Sequence, residues 1–395
     1  NFTGKNLATK RNVKTLLSVG GPEGEAHRAL VNLTKTEEQI SIFSYNAISY
    51  LRFYGFHGLD IDWQYPSTLS MKAGLIKLLE ILRRDFDSNT AGERLLLTVK
   101  CPGVYSSDGY DVPLMSRYVD YVVLAAYNLP TPNAMQAWFG SPLYSTHISV
   151  NSSVREWLDE GLPANKTVVG ITSVGRFLRL LDVLRFTPGD PINETLRGND
   201  YNIPGGLAYS EICVMLKIVE TFFDEAAQMY YLVSENTWVG YEDFDSITAK
   251  ITWMKNLNLA GVMFPEIDMD DFNGTVCGYG PFPFMNMIKH LSETITTARP
   301  SQTSTTTATV TRNETTTAAT DVTSTTIIQE TTDNPTLRAD STTADNMQAG
   351  TTNHSTVTIF AIFLAMCVFA TVVVCLARKH SMSDKHRLQE QISHR

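Results

Sequence analysis

The sequence predicts an α/β domain built on a parallel sheet. Over residues 1–292, short apolar runs bounded by Gly, Pro or polar turns alternate with longer amphipathic stretches. Alternating strands and helices form parallel sheets, because each crossover between parallel strands is usually made by a helix. The run at residues 95–99 is apolar on both faces, which is typical of a strand covered by helices on each side.

Six strands are predicted along this region. They fall at residues 13–19, 58–61, 95–100, 121–126, 167–171 and 260–264. Amphipathic stretches at residues 37–54 and 71–86 predict two of the helices that connect them. A closed barrel of alternating strands and helices has eight strands. The pattern therefore accounts for six strands of such a barrel.

The charge and the sequons of the chain restrict its class. A formal charge of -9 argues against a nucleic-acid-binding surface. Eight N-glycosylation sequons, none with Pro in the middle position, predict passage through the secretory pathway. They begin at Asn1, Asn32, Asn151, Asn165, Asn193, Asn273, Asn313 and Asn353. The chain starts with Asn and shows no signal peptide, so we interpret it as a mature protein or a fragment.

Residues 293–355 differ in composition from the region before them. They are dominated by Thr, Ser, Ala and Asn, with too few large apolar residues to bury a core. A Ser/Thr-rich tract that contains Pro is typical of an O-glycosylated stalk. The alternative is a plain disordered linker, and the glycosylated stalk is favoured.

Residues 356–377 are almost wholly apolar and long enough to cross a bilayer as a helix. Arg378, Lys379 and His380 follow at once, and a basic flank marks the cytoplasmic side. A lipid-anchor signal would end in its apolar tail, whereas residues 378–395 are polar. The sequence thus predicts a single-pass type I membrane protein, with an extracellular or luminal ectodomain and a short cytoplasmic tail.

One motif carries a family resemblance. Residues 56–66 read F-H-G-L-D-I-D-W-Q-Y-P. The run resembles the fourth-strand signature of glycoside hydrolase family 18, the chitinases and their relatives, which reads roughly F-D-G-L-D-x-D-W-E-Y-P. The S-x-G-G ending at residues 18–21, W-V-G-Y-E at 238–242 and I-D-M-D-D-F at 267–272 also resemble family motifs, in the family's order. The resemblance covers roughly residues 10–292.

The resemblance implies a (β/α)₈ TIM barrel. Residues 13–21 correspond to the third strand of the family, so we expect the first two strands to lie upstream of Asn1. It also implies a small α+β insertion at residues 176–248, before the last strand. Cys213 and Cys277 occupy positions where the family has a disulfide, and two free thiols are the alternative. Cys101 has no evident partner.

The same resemblance implies a reaction mechanism and the loss of the acid residue that this mechanism needs. In this family the substrate's own acetamido oxygen attacks the anomeric carbon, a Glu protonates the leaving oxygen, and a neighbouring Asp orients the acetamide. Alternate residues of a strand share a face, so Asp60, Asp62 and position 64 should point into the barrel. The position of that Glu is Gln64, whose amide has no proton to give near neutral pH. His57 replaces a family Asp; it is either an imidazolium paired with Asp60 or a tolerated replacement.

Sugar binding is expected to be weakened as well. Family stacking residues are replaced by Pro22, Val174 and Pro265, and losing aromatic platforms costs affinity. Tyr127 is retained, the Asp after it has become Asn128, and Trp138 lies close by in the sequence. These last three residues are the candidate ligand-binding residues. Glu266 is either a solvated loop carboxylate or, less favoured, a relocated general acid.

These observations predict a catalytically inactive, membrane-anchored chitinase-like glycoprotein that acts in recognition or adhesion. Its nearest analogues in the family are the oviduct glycoproteins and the chitinase-like lectins. The candidate ligands are chito-oligosaccharides and the glycans of glycoproteins. The alternatives are a residual chitinase and a scaffold for protein partners that binds no glycan. No cofactor and no metal site are predicted.

Overall fold

A parallel sheet forms the centre of the fold. The computed structural model describes residues 13–22, 24–131, 133, 135–198 and 203–294. Six parallel strands lie in the order β1-β2-β3-β4-β5-β12. They are β1 Leu16–Gly21, β2 Gly58–Trp63, β3 Leu96–Pro102, β4 Tyr121–Ala125, β5 Thr167–Gly170 and β12 Gly261–Met263. The predicted α/β class with a parallel sheet is confirmed.

Strand β1 lies further along the chain than the predicted residues 13–19. It extends through Gly20 and Gly21, which pair with Asp62 and Trp63 although both have positive φ angles. A Cβ atom at Gly20 would lie 2.0 Å from the backbone oxygen of Asp62. Only glycine therefore lets β1 follow β2 to this end of the sheet, where the sequence pattern indicated a turn.

Eight α-helices lie within the described residues. They are α1 Glu25–Leu33, α2 Glu37–Tyr54, α3 Leu69–Ser88, α4 Val112–Tyr118, α5 Val150–Asp159, α6 Tyr209–Met215, α7 Phe244–Asn256 and α8 Pro283–Thr294. The predicted helix at residues 37–54 is α2, which Thr36 caps and Gly55 ends in the left-handed conformation. The predicted helix at residues 71–86 is α3, which begins two residues earlier because Thr68 caps it.

The two faces of β2 have different partners. Leu59, Ile61 and Trp63 are buried in the core cluster that also contains Leu78 and Leu82 of α3. Asp60 and Asp62 alternate with them and lie on the opposite face. The period of two in the strand thus places the apolar residues against the helices and the two carboxylates in the barrel interior.

A second sheet is inserted between β5 and β12. Its antiparallel strands follow the order β7-β6-β11-β10-β9, and β8 pairs with β6. They are β6 Gly175–Leu180, β7 Ile192–Thr195, β8 Gly206–Leu207, β9 Thr221–Asp224, β10 Met229–Ser234 and β11 Thr237–Tyr241. Together with α6 this sheet is the α+β subdomain of the predicted fold class. It ends at Tyr241, and the predicted boundary at residue 248 falls inside α7, which Asp243 caps.

Cys213 and Cys277 form the disulfide that the resemblance implied. Their Cα atoms are 5.1 Å apart, and 64 positions of sequence separate them. The bond joins α6 of the inserted subdomain to the segment between β12 and α8. Cys101 on β3 is a buried free thiol.

Several predictions fall on residues outside the described ranges. These are the stalk at residues 293–355 apart from its first two residues, the apolar segment 356–377, the tail 378–395, and the sequons at Asn1, Asn313 and Asn353. Within the described ranges no helix is long and apolar enough to span a membrane. The other sequons begin at the exposed residues Asn32, Asn165, Asn193 and Asn273, and at the half-buried Asn151.

Candidate functional site

Asp60 is held by the strands on both sides of β2. The register places Ser18 of β1 and Thr98 of β3 beside it. Ser18 Oγ donates to Asp60 Oδ2 over 2.7 Å, and Thr98 Oγ1 donates to Asp60 Oδ1 over 2.6 Å. Both carboxylate oxygens are therefore used to join three neighbouring strands, which is a structural role.

Asp62 is held differently, by a cation and an amide. Gln64 Nε2 donates to Asp62 Oδ1 over 2.8 Å, and Lys100 Nζ lies 3.1 Å from Asp62 Oδ2. Lys100 follows Thr98 by two residues on β3, so it shares the interior face with it. The side chains of Asp62 and Lys100 are only 14% and 20% exposed. Lys100 is the only charged residue of the predicted strand at residues 95–100, which could have drawn attention to it. The family motif alone did not indicate that Asp62 would be its partner.

Gln64 lies at the end of β2 with its amide directed at Asp62. Its backbone oxygen is 3.3 Å from His27 Nδ1, and the Gln64–Tyr65 peptide is cis. The carboxamide can donate and accept hydrogen bonds, but it has no acidic proton. At this position the chain can orient a neighbouring carboxylate and cannot protonate a glycosidic oxygen.

His57 does not pair with Asp60. Its Nδ1 accepts a hydrogen bond from the backbone N–H of Thr15 over 3.1 Å and is also 3.1 Å from Thr15 Oγ1. The predicted pairing of His57 with Asp60 is therefore wrong, because His57 directly precedes β2 and its Nδ1 faces Thr15, directly before β1. His27 was missed by sequence reasoning; it accepts a hydrogen bond from Trp63 Nε1 over 3.2 Å.

Two tyrosines stand beside these groups. Burial raises the pKa of Tyr65 to about 12, although the charge of Lys100 opposes the rise. Burial also raises the pKa of Tyr127 well above its usual range, and the carboxylate of Glu266 adds to the effect. Both phenols are therefore neutral at physiological pH and available as hydrogen-bond donors.

A cavity of about 120 Å³ opens between the barrel and the inserted subdomain. Tyr127 and Asn128, just beyond β4, line it together with Arg176, Glu242 and Glu266. Two of the three predicted ligand-binding residues thus share one cavity. Trp138 is not part of this lining; its ring packs edge-on against Phe139 and His147, with centroids 6.2 and 6.0 Å away.

Arg176 organises the wall of this cavity and was not predicted. Its Nη2 donates to Asn128 Oδ1 and to the backbone oxygen of Leu129, each over 2.9 Å, and Nη1 donates to the backbone oxygen of Phe139 over 3.3 Å. Burial lowers the pKa of Arg176 to about 10, so the guanidinium keeps its charge at neutral pH. Arg176 therefore ties β6 of the subdomain to the loop that follows β4.

Glu242, which lines the cavity, forms a buried ion pair with Lys250. Both side chains are 1% exposed. Glu242 also accepts hydrogen bonds from Ser141 Oγ over 2.6 Å and from Ser246 Oγ over 2.7 Å. Burial lowers the pKa of Lys250, and the adjacent Glu242 carboxylate opposes that shift. Lys250 and the two serine hydroxyls occupy the carboxylate of Glu242. Glu242 therefore has a structural role, which is to join the end of β11 to α7.

Glu266 lies at the rim of the cavity. It is an exposed residue in the left-handed conformation with φ 52°, and Thr172 Oγ1 donates to its Oε2 over 3.2 Å. At the exposed rim this carboxylate is in contact with solvent and is engaged by the Thr172 hydroxyl. This favours the solvated loop carboxylate over a relocated general acid. The described residues also contain no group of three or more His, Cys, Asp and Glu side chains that could hold a metal ion.

Gly170 is expected to be necessary for the position of Tyr127. A Cβ atom at Gly170 would lie 2.5 Å from Tyr127 Cε1 and 3.2 Å from the backbone oxygen of Leu124. We expect Gly170→Ala to displace the Tyr127 ring and to lower the free energy of unfolding by about 1–3 kcal/mol through overpacking. Gly261→Ala on the adjacent strand β12 is the matched control, because no atom lies within 4 Å of its added Cβ. Urea denaturation checks the pair, and equal effects of the two substitutions would contradict this role of Gly170.

The fold and this site define a class of protein. A parallel barrel sheet, an α+β insertion before the last strand and two interior Asp residues at the mouth are the arrangement expected of chitinase-like proteins. The chain matches the profile of the glycosyl hydrolases family 18 over residues 1–270. The protein therefore belongs to glycosyl hydrolase family 18, whose fold is the (β/α)₈ barrel.

Relatives in this family include both enzymes and proteins named as chitinase-like. Chitotriosidase-1 of Mus musculus is 31% identical, over 72% of this chain and 64% of its own length. Chitinase-3-like protein 2 of Homo sapiens is 32% identical, over 72% of this chain and 76% of its own. The solved structure of human YKL-39, described as a pseudo-chitinase with retained chitooligosaccharide binding, matches with a TM-score of 0.68 and 30% identity, over 73% of this chain and 83% of that one. The match spans less than two thirds of the mouse chitotriosidase.

Proposed function

We propose that this chitinase-like protein does not hydrolyse chitin and acts by recognising glycans that contain N-acetylglucosamine. The observation that carries the proposal is Gln64 at the end of β2, where the family has its proton donor. An amide at this position preserves the shape of the carboxyl and supplies no acid. The engagement of Asp60 with Ser18 and Thr98 adds support, because that carboxylate is used by the fold.

Two observations support the proposal that glycan binding is retained. Human YKL-39 is described as a pseudo-chitinase that retains chitooligosaccharide binding. In this chain Tyr127 and Asn128 still line a cavity at the barrel mouth. The replacement of family aromatics by Pro22, Val174 and Pro265 leaves fewer stacking surfaces, so the affinity should be lower than that of an aromatic-lined cleft.

The unsubstituted chain is expected to show no turnover of a fluorogenic chitobiose reporter. Without a general acid, hydrolysis should be slower than that of an active family enzyme by about 10²- to 10⁴-fold or more. The assay is run from pH 4 to 8 with an active chitinase as the positive control. Turnover within tenfold of that control at any pH would refute the proposal.

Calorimetric titration with chitohexaose tests the binding half of the proposal. We expect saturable binding that Tyr127→Ala weakens by about tenfold, since a lost aromatic contact costs about 1 kcal/mol or more. Tyr45→Ala on α2 is the control, because Tyr45 is 73% exposed and outside the lining of the cavity. Absence of binding by a cooperatively folded sample would favour the scaffold for protein partners.

We also propose that the protein is anchored in a membrane as a single-pass type I protein. The apolar run at residues 356–377 and the basic residues after it support this orientation. Cell fractionation with alkaline carbonate extraction tests it, with a chain truncated after residue 355 as the control. Release of the longer chain by carbonate would contradict the anchor.

A further inference from the structure

Lys100 is a cation inside the barrel that the family motif does not include. It lies on β3, and its Nζ is 3.1 Å from Asp62 Oδ2 with both side chains largely buried. Asp62 Oδ1 is taken by Gln64 Nε2 at 2.8 Å. Each carboxylate oxygen of Asp62 therefore already has a donor before any ligand arrives.

The carboxylate at this position has a defined task in the family. It orients the acetamido group of the substrate and balances the positive charge that develops when the acetamido oxygen attacks the anomeric carbon. A carboxylate that is neutralised by an ammonium does this poorly, because the ligand N–H must compete with Lys100 for the same oxygen. Lys100 is the only cation within ion-pair distance of Asp62 among the residues that the structure describes.

We propose that Lys100 is a positioning residue that withholds Asp62 from a bound acetamido group, so that Lys100 and Gln64 block the site independently. This inference rests on the proposed function, since it concerns the same glycan site. Asp60 does not compete for Lys100, because its oxygens accept from Ser18 and Thr98. Removing the ammonium leaves Asp62 Oδ2 without the donor that Lys100 supplies.

The block by Lys100 has a consequence for attempts to restore hydrolysis. The carboxyl introduced by Gln64→Glu would lie beside Asp62, whose other oxygen contacts Lys100, and a nearby cation favours the ionised form of a carboxyl. Gln64→Glu alone should therefore restore little hydrolysis. With Lys100→Met added, that carboxyl can give its proton to the glycosidic oxygen. The bond from that oxygen to the anomeric carbon then breaks as the acetamido oxygen bonds to the same carbon, and the leaving sugar departs with a free hydroxyl. Water then opens the resulting ring and returns a proton to the carboxylate.

The first test measures binding without any catalytic change. Lys100→Met and Lys100→Arg are compared with the unsubstituted chain by calorimetry, using chitotriose and cellotriose, which lacks the acetamido groups. We expect Lys100→Met to tighten chitotriose binding by about tenfold and to leave cellotriose unchanged, since the gain is a hydrogen bond to a charged acceptor. Lys100→Arg keeps the cation and should behave like the unsubstituted chain. A cooperative urea transition confirms that each variant is folded, and Lys100→Ala replaces Lys100→Met if the latter is not.

The outcomes separate this inference from the proposed function. Equal effects of Lys100→Met on both trisaccharides, or no effect on either, would overturn the inference even if the unsubstituted chain binds chitohexaose. Selective tightening supports it even if the unsubstituted chain binds no chitohexaose. In the second test, a chitobiose reporter should be cleaved at least about tenfold faster by Gln64→Glu with Lys100→Met than by Gln64→Glu alone. Cleavage by Gln64→Glu alone that equals or exceeds that of the double variant would also overturn the inference.

Discussion

Replacing Lys250 by Met is expected to lower the free energy of unfolding by about 3–5 kcal/mol. Glu242 would then be a buried carboxylate without its cation, because both side chains of the pair are 1% exposed. The hydroxyls of Ser141 and Ser246 would remain as hydrogen-bond donors and would not replace the charge. Urea denaturation followed by circular dichroism measures the change.

The chain supplies a matched control for this substitution. Lys289 pairs with Glu293 at 3.9 Å, and both side chains are about two-thirds exposed. Lys289→Met should change the free energy of unfolding by less than about 1 kcal/mol, since surface ion pairs contribute little. Adding Glu242→Gln to Lys250→Met should recover much of the loss, because no buried charge is then left unpaired. Equal losses for Lys250→Met and Lys289→Met would contradict a buried charge pair.

Removing the disulfide is the second change with a large expected effect. The bond between Cys213 and Cys277 closes a segment of 64 residues, and a loop of that length restricts the unfolded chain by about 4 kcal/mol. Cys213→Ala with Cys277→Ala should therefore lower the free energy of unfolding by roughly that amount. Denaturation midpoints with and without reductant measure it.

Reductant provides the internal control for the disulfide. It should destabilise the unsubstituted chain and leave the double-alanine variant unchanged, because Cys101 is the remaining thiol among the described residues. Thiol titration after unfolding counts the sulfhydryls and shows whether the bond was open in each sample. An unchanged midpoint of the unsubstituted chain, with its disulfide shown to be reduced, would contradict the expected stabilisation.

The predicted strands and helices agree closely with the structure because local chemistry determines most of them. Apolar runs between turn residues became strands β2 to β5, and Thr36 and Gly55 delimit α2 where the pattern placed it. The errors occurred where contact with backbone that is distant in the sequence determines the conformation. Gly20 reads as a turn residue, yet the close approach of Asp62 makes it part of β1.

The contacts between side chains were harder to predict than the strands and helices. The period of two correctly placed Asp60 and Asp62 on one face, since that depends on a single strand. It did not indicate that Thr15 would bind His57 or that Lys100 would bind Asp62, because those contacts depend on the register between strands. Trp138 is close to Tyr127 in sequence and still packs against His147, away from the cavity lining.

The sequence by itself determined the α/β class, the family resemblance and the absence of an acid at Gln64, because composition, periodicity and residue identity are local properties of the chain. It also predicts the stalk and the membrane segment, from their composition. Only the tertiary structure decided which groups meet at the barrel mouth. The pairing of Lys100 with Asp62 and of Arg176 with Asn128 joins residues that lie 38 and 48 positions apart. Such contacts follow from strand register and loop packing, which no single stretch of sequence specifies.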